Sequence, residues 1–124
     1  MFETSIVSIV DDDQSVGISL GALVRSLGYH ARVFPSAEAF LNSAELLRTR
    51  CLVADIQMPG MSGIELQQAL IAQGRKFPII FITAYPQDST RQQVLADGAV
   101  CLLSKPCDGE VLAGHIERAM SSHG

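Results

Sequence analysis

Residues 51–63 read CLVADIQMPGMSG. An apolar run carries one carboxylate, Asp55, to its end, and a Pro-Gly loop turns the chain away directly behind it. A short, continuous apolar run bounded by turn residues marks a strand covered on both faces. An acid at the tip of such a strand calls for a chemical reason, and the rest of the chain supplies one.

Outward from this stretch, apolar runs alternate with amphipathic ones. SIVSIV (5–10) reads as a buried strand, broken by Asp11, Asp12 and Asp13. Val16, Leu20, Leu23, Val24 and Leu27 then recur at helical spacing until Gly28 stops the helix. YHARVF (29–34) alternates like a strand exposed on one side. Ser36 is placed to cap a helix carrying Ala37, Phe40, Leu41, Ala44 and Leu47. After the third strand (51–56), Ser62 and Glu65 fit a capping box that opens a helix to about Ala72. PIIFIT (78–83) is the fourth strand, and a helix over 88–97 ends at Gly98. AVCLL (99–103) is the fifth strand. Asp108 is placed to cap a last helix carrying Val111, Leu112, Ile116 and Met120.

Five strands alternating with five helices predict an α/β fold: a doubly wound, flavodoxin-like parallel sheet in the order 2-1-3-4-5. The second strand is the most polar and suits an edge. In such sheets the site lies beyond the C-terminal strand ends, at the switch point between strands 1 and 3.

Composition sets the bounds. The 124 residues suffice for one domain with one core. A hydrophobic content of 48% marks a globular chain. Nine scattered basic residues and a net charge of −4 argue against direct nucleic-acid or anionic-membrane binding. The apolar runs are too short to span a bilayer, and MFETSIVS lacks a leader pattern, so the expected location is cytoplasmic. Cys51, Cys101 and Cys107 are odd in number and lack C-x-x-C spacing, which fits reduced, buried thiols. His30, His115 and His123 have no partners at catalytic spacing.

The predicted topology gathers polar groups at one rim. Asp11, Asp12 and Asp13 follow strand 1, Asp55 ends strand 3, Thr83 ends strand 4, and Lys105-Pro106 follows strand 5. Crowded carboxylates repel one another, and a divalent cation removes the conflict. Oxygen-only ligands point to Mg²⁺, with Mn²⁺ as an alternative. With Lys105 as a cation and Thr83 as a hydroxyl donor, the set suits phosphoryl transfer to a carboxylate. Asp55, isolated on the central strand, is the expected nucleophile. Asp13 alone reads better as a helix cap before Gln14.

Taken together, IVDDDQSV, VADIQMPGMSG, FITAY and LLSKPC resemble the receiver domain of bacterial two-component response regulators. The resemblance covers about residues 5–120 and implies that residues 1–124 form a single receiver domain, with any output domain outside this chain. It implies that Asp55 is the phosphoacceptor, served by a sensor histidine kinase or a small phosphodonor. It implies that Mg²⁺ is held by Asp12, Asp55 and the backbone carbonyl of Gln57, and by Asp11 through water. Thr83 and Lys105 would bind the phosphoryl oxygens, and the Lys105-Pro106 bond would be cis. Phosphate would remodel the face of helix 4, strand 5 and helix 5, and so control a partner, a DNA-binding output domain or a homodimer. Such a switch catalyses its own phosphotransfer and dephosphorylation and is otherwise no conventional enzyme.

The chain departs from the family at Leu102, where many receivers carry Tyr or Phe, and at Cys107, where Phe is common. Gln57 and Tyr85 hold positions that tune the phosphoryl lifetime in the family. The tail ERAMSSHG fits either the end of a single-domain regulator or a linker before an output domain. Two rival readings exist. IVDDDQSV also fits the D-x-D-x-[ST]-[LV] pattern of haloacid-dehalogenase-type phosphohydrolases, with Asp11 as nucleophile and Asp13 as acid/base. Those enzymes need a further acidic pair at another strand end, and after Lys105 only Asp108, Glu110 and Glu117 occur, all around the last helix. The other rival is a receiver fold used only for protein contacts, which Leu102 keeps open.

Overall fold

The computed structural model describes residues 6–121. Ser5, at the start of the predicted first strand, and residues 122–124, with His123, lie outside the described residues. The elements are β1 (Ile6–Val10), α1 (Gln14–Ser26), β2 (His30–Phe34), α2 (Ala37–Leu41), a 3₁₀ segment (Ala44–Arg48), β3 (Thr49–Asp55), α3 (Gly63–Ala72), β4 (Ile79–Thr83), α4 (Asp88–Ala96), β5 (Cys101–Ser104) and α5 (Gly109–Ser121). All strand pairs are parallel, in the order β2-β1-β3-β4-β5. The alternating connections account for the parallel pairing, because each crossover needs a helix to return the chain to the same end of the sheet.

Strand side chains alternate between the two faces, so the apolar runs split into two cores. Leu52, Ala54, Phe81 and Leu102 pack with Phe40, Leu66 and Leu70 on the face covered by α2, α3 and α4. Cys51, Val53, Ile80 and Ile82 pack with Val24, Leu112 and Ile116 under α1 and α5. Removing one such side chain, as in Leu52→Ala, costs about 2–5 kcal/mol through lost burial and the cavity left behind. β2 is an edge strand with Ala31 as its one buried residue, as its polarity predicted.

Local chemistry starts the helices. Asp13 accepts hydrogen bonds from the Ser15 and Val16 amides at 2.9 and 3.3 Å. Ser62 and Glu65 form the reciprocal capping box at 3.1 and 2.9 Å. Asp108 accepts from the Glu110 and Val111 amides at 2.8 and 3.3 Å. α4 differs: no side chain caps its first turn, and Val94 is its one buried residue.

Three expectations need correction. The helix predicted from Ser36 through Leu47 stops at Leu41, and Ser43 restarts the chain as a 3₁₀ segment by accepting from the Glu45 amide. Asn42 and Ser43 favour local turns over helix continuation. The tighter winding buries Leu46 and leaves Leu47 70% exposed. β3 begins two residues earlier than the apolar run, because the Thr49 and Ser8 hydroxyls pair at 2.7 Å inside the sheet. β5 begins two residues later than predicted, since Ala99 and Val100 donate to Val94 and Ile79 in the turn. Val111 faces outward on α5. Among the described residues no helix is long and apolar enough to cross a membrane.

Candidate functional site

The parallel sheet brings the C-terminal strand ends together. The chain leaves β1 with the Asp11 amide bonded to the Phe34 carbonyl of β2, which sets Asp11 at the rim. The Ile56 amide donates to Ile82, and the Lys105 amide donates to Thr83. These bonds lock Asp55, Thr83 and Lys105 into neighbouring positions. Asp11, Asp55 and Thr83 are buried, whereas Asp12 is exposed.

One carboxylate oxygen each from Asp11, Asp12 and Asp55 lies within 4.8 Å of the others. Lys105 Nζ stands between two of them, 2.9 Å from Asp55 Oδ2 and 3.0 Å from Asp11 Oδ2. The Asp55 contact is a hydrogen bond. The Asp11 contact is an ion pair in which Oδ2, fully buried, receives no hydrogen bond. The Asp13 amide donates to Asp11 Oδ1 at 2.8 Å, and the Gln57 amide donates to Asp55 Oδ1 at 3.3 Å. Thr83 Oγ1 accepts from the Tyr85 amide at 3.2 Å. The Lys105-Pro106 peptide bond is cis.

Burial raises the pKa of Asp11, against the pull of the Asp13 amide and of Lys105. Burial works to lower that of Lys105, but its contacts with the Asp55 and Asp11 carboxylates outweigh it, and the pKa is raised. Lys105 therefore stays protonated. Three carboxylates against one ammonium leave the rim with two uncompensated negative charges. Three carboxylate oxygens within 4.8 Å of one another, in an oxygen-only set, fit a hard divalent cation such as Mg²⁺.

The loop behind Asp55 is held at two points. The Gly63 amide donates to the Ile56 carbonyl at 2.8 Å, closing the loop where α3 begins. A side chain on Gly63 would collide with the Asp55 carbonyl oxygen, so only glycine lets α3 start this close. Glu38 of α2 accepts from the Met61 amide at 3.1 Å. Sequence reasoning missed Glu38, because an acid in the first turn of a helix is ordinary and nothing nearby in the chain points to the loop.

The structure separates other polar residues from this cluster. Asp13 caps α1. His30 is exposed on β2, and His115 sits beside Arg118 on α5. The three cysteines are free thiols. Burial pushes Cys51 up to about 12 and raises Cys101 and Cys107, which makes all three poor nucleophiles. Leu102, at the position where the family often has an aromatic, is fully buried between β4 and α4.

Comparison with known proteins gives a uniform result. The family model described as "Response regulator receiver domain" matches residues 7–117. The chain is 39% identical over 118 residues to the response regulator protein TmoT of Ectopseudomonas mendocina, covering 95% of this chain and 54% of that protein. It is 35% identical over 114 residues to the transcriptional regulatory protein FixJ of Bradyrhizobium diazoefficiens, covering 92% and 56%. The chain thus spans about half the length of these curated relatives. Among solved structures, the response regulator StyR superposes with a TM-score of 0.86 at 38% identity, covering 96% of this chain and 60% of that one. FixJ-N superposes with a TM-score of 0.83 at 34% identity, covering 98% and 96%.

Proposed function

The chain belongs to the response regulator receiver domain family of two-component systems, and from that premise we propose that Asp55 accepts a phosphoryl group and thereby switches an output face. The observation that carries this reading is the position of Lys105, whose ammonium touches both Asp55 and Asp11 at the cleft mouth. It is the cation a transferring phosphoryl group needs, already held beside the carboxylate that would receive it.

In the reaction, an Asp55 oxygen attacks the phosphorus of a phosphohistidine on a sensor kinase, or of a small acyl phosphate. An O–P bond forms, and the P–N or P–O bond to the donor breaks, its electron pair leaving with the imidazole or carboxylate. Asp12, Asp55 and the Gln57 carbonyl would hold Mg²⁺, with Asp11 acting through water, and Mn²⁺ could replace it. The cation, when bound, supplies neutralisation of charge on the phosphoryl oxygens. Lys105 pairs with one of those oxygens, and the Thr83 hydroxyl donates to another. Attack by water on the acyl phosphate resets the switch, so the domain catalyses its own phosphorylation and dephosphorylation without being a conventional enzyme.

The output face is α4, β5 and α5. Tyr85, Leu95, Val100 and Val111 are exposed on or beside it, and α4 is the helix with the least anchorage. Because this chain matches only about half of FixJ, which is named a transcriptional regulatory protein, a DNA-binding output domain is the proposed target. A phosphorylation-linked homodimer is a second route to the same end.

Intact-mass analysis after incubation with acetyl phosphate tests the reading. We expect one phosphoryl group on the wild type, dependent on Mg²⁺, labile to hydroxylamine and absent in Asp55→Asn. Beryllofluoride covers the case of rapid hydrolysis, through perturbation near Thr83. Failure of both leaves a module that binds its partner without phosphate, a reading that Leu102 in place of an aromatic keeps open and that the acid, Thr83 and Lys105 set argues against. Partner binding unchanged in Asp55→Asn would establish it.

A further inference from the structure

At the opposite end of the sheet, where β4 begins, a cavity of about 370 Å³ opens between the C-terminal half of α3, the turn at residues 74–78 and the turn that follows α4. It shares no residue with the acidic cluster. Its size is within the range of small-molecule sites. Leu70 and Ile79 are buried in its floor, and Phe77 packs beside them. Arg75 and Lys76 stand at its mouth. They also line an adjoining hollow of about 290 Å³ to which Arg50 contributes.

The polar wall is built and incomplete. Gln67 is 1% exposed and faces the cavity from α3. Its Nε2 donates to the Val94 carbonyl at 3.0 Å, which fixes the orientation of the amide, since the reverse would set oxygen against oxygen. Oε1 is left without a hydrogen-bond partner. Arg75 Nε is likewise buried and unpartnered. The wall thus carries one unused acceptor and one unused donor, which native interiors rarely tolerate. The one acid on the rim, Asp97, is held by Gln68 Nε2 at 2.8 Å, and the two cations Arg75 and Lys76 outnumber it. Water alone would serve the polar atoms but has no use for the apolar floor.

We propose that this cavity binds a small organic anion, its apolar body on Leu70, Phe77 and Ile79 and its carboxylate or phosphate at Arg75 and Lys76. A hydroxyl or amino group on the guest completes Gln67 Oε1. The site goes beyond the phosphoacceptor reading and does not depend on it.

The test is titration of the nitrogen-labelled chain with hexanoate, ω-hydroxyhexanoate, hexyl phosphate and neutral hexanamide, followed by two-dimensional amide NMR. Saturable shifts are expected for the anions at Gly74, Arg75, Gly98 and the Gln67 side chain, with hexanamide at least tenfold weaker. The tighter of hexanoate and hexyl phosphate names the headgroup, and ω-hydroxyhexanoate should exceed hexanoate. Arg75→Gln and Lys76→Gln should each weaken binding about fivefold while the amide spectrum elsewhere stays native. No saturable shift with any anion, equal binding of hexanamide, or affinity unchanged in both variants would overturn the proposal, leaving a cavity that holds ordered water only.

Discussion

At the C-terminal rim of the sheet, Asp11, Asp55 and Lys105 are packed against one another and largely withdrawn from water. At the N-terminal rim, Arg75 and Lys76 stand around an apolar cavity, Lys76 exposed and Arg75 half-buried. The same five strands supply both ends. At the first, burial makes each charge depend on its neighbours, so small chemical changes there have large consequences. At the second, the charges make no ion pair with the cavity's one acid and stand nearer to water, and the apolar floor carries the binding potential. The backbone follows the same division: Gly63 at the first rim has no room for a methyl group, and Gly74 at the second has nothing within 4 Å.

This contrast can be broken or sharpened by substitution. Gly63→Ala should have the largest effect. Its Cβ would stand 2.9 Å from the Ile56 Cα as well as striking the Asp55 carbonyl, and backbone cannot rotate aside. We expect a loss of about 3 kcal/mol, seen as a lower urea midpoint. An unchanged midpoint would mean the first rim is looser than it looks. Lys105→Met removes the one ammonium between Asp11 and Asp55 and should cost about 2 kcal/mol at neutral pH without divalent cation. Since the Lys105 pKa is raised above its ordinary 10.5, this contribution is fully present below that pH and fades as pH rises through the folded value.

Gly74→Ala comes next. Its φ of +75° is strained for any side chain, but the space is open, so the cost is the conformational one of about 1–2 kcal/mol. A loss as large as that of Gly63→Ala would erase the contrast. Asp11→Asn has the opposite sign. A carboxylate whose folded pKa is raised binds its proton more tightly folded than unfolded, so stability falls as pH rises from about 4 through the raised value. Replacing it should raise stability at neutral pH in the absence of divalent cation, flatten that part of the pH profile and weaken Mg²⁺-induced stabilisation. A thermal melt series across pH reads all three. Lys76→Gln, at the exposed rim, should move stability by less than about 0.5 kcal/mol; a larger loss would show that its charge is not simply solvated.

The acidic rim was legible because each of its members ends a strand that periodicity can find. Parallel pairing then gathers Asp11, Asp12, Asp55, Thr83 and Lys105 at one rim, and the polarity of the second strand places it at the edge of the order β2-β1-β3-β4-β5. Caps such as Asp13, Ser62 and Asp108 were readable for the same reason: their partners lie two or three residues away. What escaped depends on distant neighbours. The Thr49 hydroxyl extends β3 because it meets Ser8, 41 residues away. Glu38 steadies the loop at Met61, 23 residues away, and the Gln67 amide meets Val94 across 27. The break at Asn42 and Ser43 was local, but helical spacing of apolar residues on either side masked it. The basic cavity is a meeting of one helix and two turns, and no single stretch of sequence announces it.

The length of β3 bears on how these two rims can influence each other. Seven residues at a rise of about 3.3 Å separate its ends by about 20 Å. The Debye length at physiological ionic strength is about 8 Å. Field carried through solvent from a phosphoryl group on Asp55 is therefore largely screened before it reaches Arg75 or Lys76. Anything one end learns of the other must travel as displacement, through strands and through helices such as α4, which Gln67 grips by one carbonyl. Raising the salt should leave such a mechanical signal standing, whereas an electrostatic one would disappear.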